Sequence, residues 1–509
     1  MKVLFETKSI CPECLEEKKI NIIPAKVIEE DGKAWITKKC KKHGEFKDLY
    51  WEDSERLLWA LGFWYDGLGV ENPKVKKDNP ECPKDCGLCK AHKSHTVLAN
   101  LVVTNRCNLS CWYCFFYAKR AGYVYEPSLE QIEFMLRTLR ENKPVPTKAL
   151  QITGGEPTLR EDLVDIIKLA KKLGFEHVQV NTNGLKIAQN PEMVKEWRKA
   201  GVNTIYLSFD GVTKKTNPKN HDEIPDILNA FREAKIGVVL VPTLIRGWND
   251  HEAWDIVKFA LDNIDVVRGV NFQPVSFVGK MPLKELRKQR ITIPGFIKIL
   301  EEKSKGKLSL KDFYPVPSVI PISKLVSKLN KRPELEFSAH PACGMATYLF
   351  KINGDIVPIT KLVDVEGFFN LSKELADLAE KRFGKLRMGL KLLKLRKLIS
   401  KDAPKELQLS NIIWNFIKKR DYKSLGEFHY KSLFIGSMHF QDPYNFDIER
   451  VKRCVIHYIN PDGSIIPFCA YNGLPYFYRD RINEKFSIPI PKWEKQTGKK
   501  LKDDLYIRK

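Results

Sequence analysis

Twelve cysteines fall into four groups of three, and this grouping constrains the chain more than any other feature. The groups are Cys11/Cys14/Cys40, Cys82/Cys86/Cys89, Cys107/Cys111/Cys114 and Cys343/Cys454/Cys469. In a short secreted chain such numbers imply disulfides. In a chain of 509 residues that opens on MKVLFETKSICPEC, without the apolar stretch of a signal peptide, they imply metal ligands. No run of about 18 apolar residues is present, so no membrane-spanning helix is expected. The expected location is cytoplasmic, peripheral at the inner membrane surface.

Residues 1–60 read as a small module stapled by one mononuclear metal ion. Cys11-Pro-Glu-Cys14 is one knuckle, and Cys40-Lys-Lys-His43-Gly44 supplies the third thiol and an imidazole. The spacing is that of a zinc ribbon or rubredoxin and leaves iron and zinc both open. From residue 97 the pattern changes. VLANLVVT (97–104), ALQIT (149–153), HVQVNTNG (177–184), TIYLSFDG (204–211), VVLVPTLI (238–245) and VNFQPVSF (270–277) read as strands with helical segments between them. The alternation predicts an α/β fold with a parallel sheet, a partial barrel of six βα units whose active site lies at the C-terminal strand ends.

Cys107-x3-Cys111-x2-Cys114 follows the first of these strands. Three thiolates on one loop hold three irons of a 4Fe–4S cube and leave the fourth iron open. Such an iron binds S-adenosylmethionine (SAM) through its amino and carboxylate groups. Gly154-Gly155-Glu156-Pro157 follows the second strand, Asn181-Thr182-Asn183-Gly184 the third and Ser208-Phe209-Asp210-Gly211 the fourth. With these motifs the chain resembles the radical SAM superfamily over about 180 residues. The resemblance implies a deoxyadenosyl radical as the reactive species. It also implies SAM contacts from Tyr113, Gly154, Gly155, Glu156, Asn183, Ser208 and Asp210.

Cys82-x3-Cys86-x2-Cys89 repeats the spacing upstream, within 61–96, and reads as an auxiliary 4Fe–4S site, with a zinc site as the alternative. His92 and His95 are candidate fourth ligands. In the C-terminal part, 331–509, two hairpins are expected at LFKINGDIVPIT (349–360) and YINPDGSIIPFC (458–469). Cys343, Cys454 and Cys469 flank them in a pattern that resembles the twitch or SPASM domains following many radical SAM barrels (97–330 here). Ile359 stands where that pattern expects another cysteine, so His340 and His457 become candidate ligands of a second auxiliary cluster. The expected inventory is SAM, three 4Fe–4S clusters and one mononuclear iron or zinc.

The net charge is +23, which favours anionic partners or reflects a Lys-rich, heat-adapted surface. KLRMGLKLLKLRKLIS (385–400) carries two apolar stripes, Leu386/Leu390/Leu393 and Met388/Leu392/Leu395/Ile399, and reads either as a core helix or as a lipid-facing one. Taken together, CPEC…CKKHG, CPKDCGLCKAH, CNLSCWYC, HPACG and CVIHYINPDGSIIPFCAYN resemble the archaeal tetraether lipid synthases. That resemblance implies a transferase of membrane lipid biosynthesis that couples terminal methyl carbons of two phytanyl chains. Its partners would be an archaeal diether (archaeol-type) phospholipid and a low-potential donor such as ferredoxin, with no nucleic acid expected. An auxiliary cluster, that of Cys343/Cys454/Cys469 before that of Cys82, would hold the carbon radical. The rival readings are a peptide or protein maturase and an RNA-modifying enzyme.

Overall fold

The computed structural model describes residues 2–114, 118–278, 287–381, 384–409, 411, 428 and 431–508. The N-terminal module is a four-stranded antiparallel sheet of β1 (Lys2–Ile10), β2 (Ile22–Glu30), β3 (Lys33–Cys40) and β4 (Gly44–Trp51), in that order. Alternate residues of β2 and β3 point inward, so Val27, Ala34 and Ile36 are buried. Gly44 takes a φ of +78°, which lets β3 turn directly into β4 and holds Cys40 and His43 together.

The main sheet begins with β5 (Leu98–Thr104), after which β6 (Tyr123–Val124) pairs only with β19 (Ile488–Pro489) near the C-terminus. β7 (Ala149–Gly154), β8 (His177–Thr182), β9 (Thr204–Ser208), β10 (Gly237–Val241) and β12 (Val267–Pro274) follow, with β11 (Thr243–Leu244) beside β12. These strands match the sequence expectation closely. Their helices cover one face. Ile132, Met135 and Leu136 of Leu129–Arg140 and Ile166, Ile167 and Ala170 of Leu163–Lys172 pack on Leu101, Ile152 and Val180. Ser128 and Gln131 close a capping box that starts the first of these helices.

The parallel run is longer than the six strands expected. β16 (Leu433–Met438) pairs parallel with β12, and β17 (Ile456–Ile459) pairs parallel with β5. Eight parallel strands therefore run β16-β12-β10-β9-β8-β7-β5-β17. Antiparallel β14 (Gly344–Ile352), with β13 (Tyr314–Pro315) and β15 (Asp355–Pro358), extends one edge, and β18 (Ile465–Pro467) extends the other. Both expected hairpins form: Asn353 and Gly354 turn at φ of +50° and +83°, and Gly463 turns at +78°. The C-terminal residues thus build both flanks of the barrel sheet.

The 385–400 segment is helical over Gly384–Leu392 and tightens to 3₁₀ over Leu393–Leu398. Met388 and Leu395 are buried against Leu325, Leu371, Leu375 and Ala376, with Leu392 packed beside them. That stripe faces protein, which is the packed side in either reading. The side chains of Leu386, Leu390 and Leu393 lie outside the described residues, as does most of 410–430 in the helical stretch expected over 372–433.

One buried ion-pair cluster ties three parts of the chain together. Arg290 lies 2.8 Å from Asp48 of β4 and 2.8 Å from Asp442, which follows β16. Burial opposes ionisation of Asp442. The Arg290 guanidinium and the amides of Phe277 and Tyr444 outweigh it and hold the carboxyl below its ordinary value. A carboxyl lowered in the fold adds stability above its unfolded pKa of about 4, and this is lost as pH falls through the lower folded value. Asp442→Asn should cost about 3–5 kcal/mol in denaturant unfolding near neutral pH, because it leaves Arg290 under-compensated. The difference from the natural protein should shrink below about pH 4.

Candidate active site and metal centres

Gly154 and Gly155 end β7 against the start of the cysteine loop. A Cβ on Gly154 would stand 2.0 Å from the Thr104 carbonyl oxygen, and one on Gly155 would stand 2.1 Å from that of Arg106. Only glycine permits the two backbone bonds made there, Gly155 N to Thr104 O at 2.8 Å and Glu156 N to Arg106 O at 2.7 Å. The Glu156 carboxylate is buried and accepts from Thr158 N at 3.1 Å, Thr182 Oγ1 at 2.8 Å and Asn183 N at 2.8 Å. Burial still keeps its carboxyl above the ordinary value. Asn183 Nδ2 donates back to Asn108 Oδ1 at 2.7 Å. The ends of β5, β7 and β8 and the cysteine loop are thus one hydrogen-bonded unit.

A charged group faces the thiols of this loop. Tyr113 donates its hydroxyl to Asp210 Oδ2 at 2.5 Å, and Thr243 N donates to Asp210 Oδ1 at 3.0 Å. Lys219 Nζ lies 2.7 Å from Asp210, donates to Ser208 Oγ at 2.5 Å and sits 5.3 Å from the centre of the Tyr113 ring. Burial works against the Lys219 cation, but Asp210 and Cys111 raise its pKa above the ordinary value. Burial raises the Cys107 and Cys111 thiols, and Lys219 partly offsets this at Cys111. Three thiols on one loop, half-buried beside a cation and next to a glycine cradle, fit a three-ligand iron–sulfur cluster. Lys219 was missed in the sequence because it is one lysine in a polar loop, KKTNPKNHD, without diagnostic spacing.

The N-terminal site is assembled as expected. The thiols of Cys11, Cys14 and Cys40 and a ring nitrogen of His43 lie within 4.8 Å of one another. His43 Nδ1 is 3.4 Å from Cys11 Sγ, 3.4 Å from Cys14 Sγ and 3.8 Å from Cys40 Sγ. Its Nε2 lies 3.1 Å from Glu17, which fixes the ring with Nδ1 inward. Burial pushes Cys11 up to about 12. At Cys40 burial is outweighed by the amides of His43 and Lys42 and by the neighbouring thiols, which bring it down to about 6. A cation would deprotonate the set.

The other two triads adjoin each other. Cys343 immediately precedes β14, Cys454 precedes β17 and Cys469 follows β18. Arg450 Nε donates to Cys343 Sγ at 3.4 Å, and the Arg450 charge also acts on Cys469. Cys86 hydrogen-bonds Cys82 and feels Cys89 and Cys454, and these effects with burial hold its thiol well up. His92 Nε2 lies 2.8 Å from the Cys454 carbonyl oxygen and 3.2 Å from His457 Nε2. His95 Nε2 accepts from Glu336 N at 3.3 Å, and His340 Nδ1 accepts from Ala342 N at 3.1 Å. His95 Nδ1, His340 Nε2 and His457 Nδ1 are buried without a partner among the described residues. So are both ring nitrogens of His439, whose backbone N–H donates to Cys343 O at 3.0 Å. Sequence spacing gave no signal for His439.

Residues 101–260 match the radical SAM superfamily, and residues 3–52 match the HMPTM N-terminal zinc ribbon domain. Over 505 residues the chain is 48% identical to a 7,8-dihydro-6-hydroxymethylpterin dimethyltransferase from Methanocaldococcus jannaschii, spanning 96% of this chain and 97% of that one. The chain belongs to that family of radical SAM enzymes. It is also 33% identical over 187 residues to a GTP 3',8-cyclase from Limosilactobacillus fermentum, which covers 34% of this chain and 53% of that one. The crystal structure of methylornithine synthase is similar at a TM-score of 0.31 and 16% identity, covering 43% of this chain and 64% of that one. Membership of the superfamily brings SAM and a 4Fe–4S cluster with it.

These findings correct the lipid reading. The near-full-length relative is a pterin dimethyltransferase, so coupling of phytanyl chains, a diether phospholipid partner and a place on the membrane surface lose their support. Among the described residues no helix is long and apolar enough to cross a membrane. The cysteine motifs that carried the resemblance specify metal chemistry and not the substrate.

At the ribbon site, Cys40→Ser should remove one metal ion per chain, read by elemental analysis. Glu17→Gln should leave the ligands but weaken metal binding by about 10–100-fold in competition with a chromophoric chelator.

Proposed function

We propose that this protein is a radical SAM methyltransferase that transfers two methyl groups to 7,8-dihydro-6-hydroxymethylpterin. The observation that carries this reading is end-to-end identity of 48% with a protein of that activity. A radical core is needed where the methylated atom is too poor a nucleophile for direct methyl transfer, and it is cofactor chemistry that meets this need.

In this reading Cys107, Cys111 and Cys114 hold the cluster, which when bound supplies the electron that splits SAM. The chain's own residues bind and orient. Gly154 and Gly155 leave backbone carbonyls open to the SAM amino group, with Glu156 fixing the strand ends around them. Tyr113, Asn183, Ser208 and Asp210 surround the same space, and Lys219 supplies a cation for a carboxylate. Two auxiliary clusters, at Cys82/Cys86/Cys89 and at Cys343/Cys454/Cys469, complete the inventory. Their support is that buried Cys86, Cys89 and Cys469 and half-buried Cys82, Cys343 and Cys454 lie among one another, with imidazole nitrogens nearby that lack partners among the described residues.

The test is expression in a bacterium that makes dihydropterins itself, followed by mass spectrometry of its pterins. A doubly methylated hydroxymethylpterin should appear with the natural chain and be absent with Cys111→Ala. Purified anaerobically with its clusters reconstituted, the protein should form 5'-deoxyadenosine from SAM, and Cys111→Ala should lower that rate by at least about 10³-fold. Deoxyadenosine formed in vitro without any methylated pterin in cells would overturn the substrate assignment.

A further inference from the structure

The two faces of the parallel sheet differ in chemistry. Toward the helices, Ala99, Leu101, Leu150, Ile152, Val178 and Val180 are fully buried and apolar. On the opposite face the same strands carry amides. Asn100 of β5 stands opposite Gln151 of β7, and Gln151 stands opposite Gln179 of β8. Parallel strands covered on both faces usually read as continuous apolar runs, so three carboxamides in one cross-strand row call for a reason.

The row is directional. Gln179 Nε2 donates to Gln151 Oε1, and Gln151 Nε2 donates to Asn100 Oδ1 at 2.7 Å. At the far end His177 Nε2 lies 3.1 Å from Gln179 Oε1. At the near end the chain of bonds stops. Asn100 is fully buried, and its Nδ2 has no partner among the described residues. One layer higher, Asn181 Nδ2 donates weakly to Thr153 Oγ1 at 3.4 Å, and its Oδ1 also lacks a partner. Gln151, Thr153 and Asn181 remain partly exposed, so this face is open. A buried amide group left unsatisfied is costly, and a fixed amide row that reaches a partly exposed face through Gln151 and Asn181 suits a ligand with matching groups.

Gln151 lies three residues before Gly154, about 10 Å along the strand below the SAM-binding end. We propose that the Asn100–Gln151–Gln179 row, with Asn181, reads the aminopyrimidine edge of a pterin bound within the barrel, and so sets substrate specificity. This rests on the methyltransferase reading above. That edge presents an exocyclic amino group, ring nitrogens and a carbonyl, the donor–acceptor mixture that carboxamides complement. With its edge on the row, the bicyclic ring extends toward the strand ends where the radical forms. An apolar chain in the same space would leave Asn100 Nδ2 and Asn181 Oδ1 without a partner.

The test is anaerobic equilibrium dialysis of the cluster-reconstituted full chain. The probes are 7,8-dihydro-6-hydroxymethylpterin and its analogue lacking the exocyclic amino group. Gln151→Met keeps the side-chain length and removes both hydrogen-bonding atoms. It should raise the Kd for the pterin about tenfold and abolish the preference for the amino-bearing ligand, with SAM affinity and iron content unchanged. If Gln151→Met loses iron, Gln151→Glu, which keeps the acceptor and removes the donor, carries the same measurement. Unchanged affinity and preference in the variant that keeps its iron would overturn the assignment of the row and leave the methyltransferase reading standing. Failure of the natural chain to bind the dihydropterin would overturn both.

Discussion

Strand β5 is the rod on which the metal chemistry is mounted. The Cys82/Cys86/Cys89 segment leads into it, and the Cys107/Cys111/Cys114 loop leaves it. Its seven residues span roughly 20 Å, fixed on one side by β7 and on the other by β17. The parallel pairing of Ile456–Ile459 with Leu98–Leu101 brings in two thiols of the last triad, because Cys454 precedes β17 and Cys469 follows the hairpin, while Cys343 immediately precedes β14. A strand hydrogen-bonded on both edges cannot lengthen or slip without reversing which side chains face the helices. The sheet thus fixes the two ends of β5 from which the Cys82/Cys86/Cys89 and Cys107/Cys111/Cys114 segments extend.

Electrostatics follow the same plan. Lys219 and Arg450 are buried cations set against thiols as well as against ordinary partners. Lys219 has Asp210 and lies near Cys111, whereas Arg450 has Cys343, Tyr50 and Cys469. Burying a cation is costly unless an anion is near, and burial holds the Cys111 and Cys469 thiols up. Lys219 already has Asp210 for this, and in the proposed reading a metal cluster at each triad adds thiolate charge opposite both cations. On the proposed reading, metal loading adds to the stability of the fold through these two residues.

Much of this was legible in the sequence where the signal is local. The strands and helices between 98 and 275 show in their periodicity, and Cys11, Cys14, Cys40 and His43 show in their spacing. The Asn-Gly and Asp-Gly turns announced both hairpins. What failed to show is non-local. β16 and β17 join a sheet whose other strands lie far away in sequence, and no pattern within LFIGSM or IHYI says which edge they take. Lys219 and His439 are single residues whose importance exists only where the chain brings them. The substrate was misread for a related reason: cysteine spacing encodes how a radical is made and is shared among enzymes that use it on different molecules.

On the proposed reading the strands themselves carry a substrate signal beside that of the cysteines. In LANLVVT, ALQIT and HVQVNT a polar residue interrupts each apolar run, and pairing places Asn100, Gln151 and Gln179 side by side. A barrel built to hold hydrocarbon gains nothing from amides on its inner face and offers Asn100 Nδ2 and Asn181 Oδ1 no partner. A barrel that holds a small heterocycle needs few apolar contacts there, but fixed donors and acceptors at defined depth. The helix-facing side supplies the stability that lets the inner face be polar, with Leu101, Ile152 and Val180 sealed beneath it. Each strand thus divides its residues by parity, one set holding the fold and the other available to a ligand.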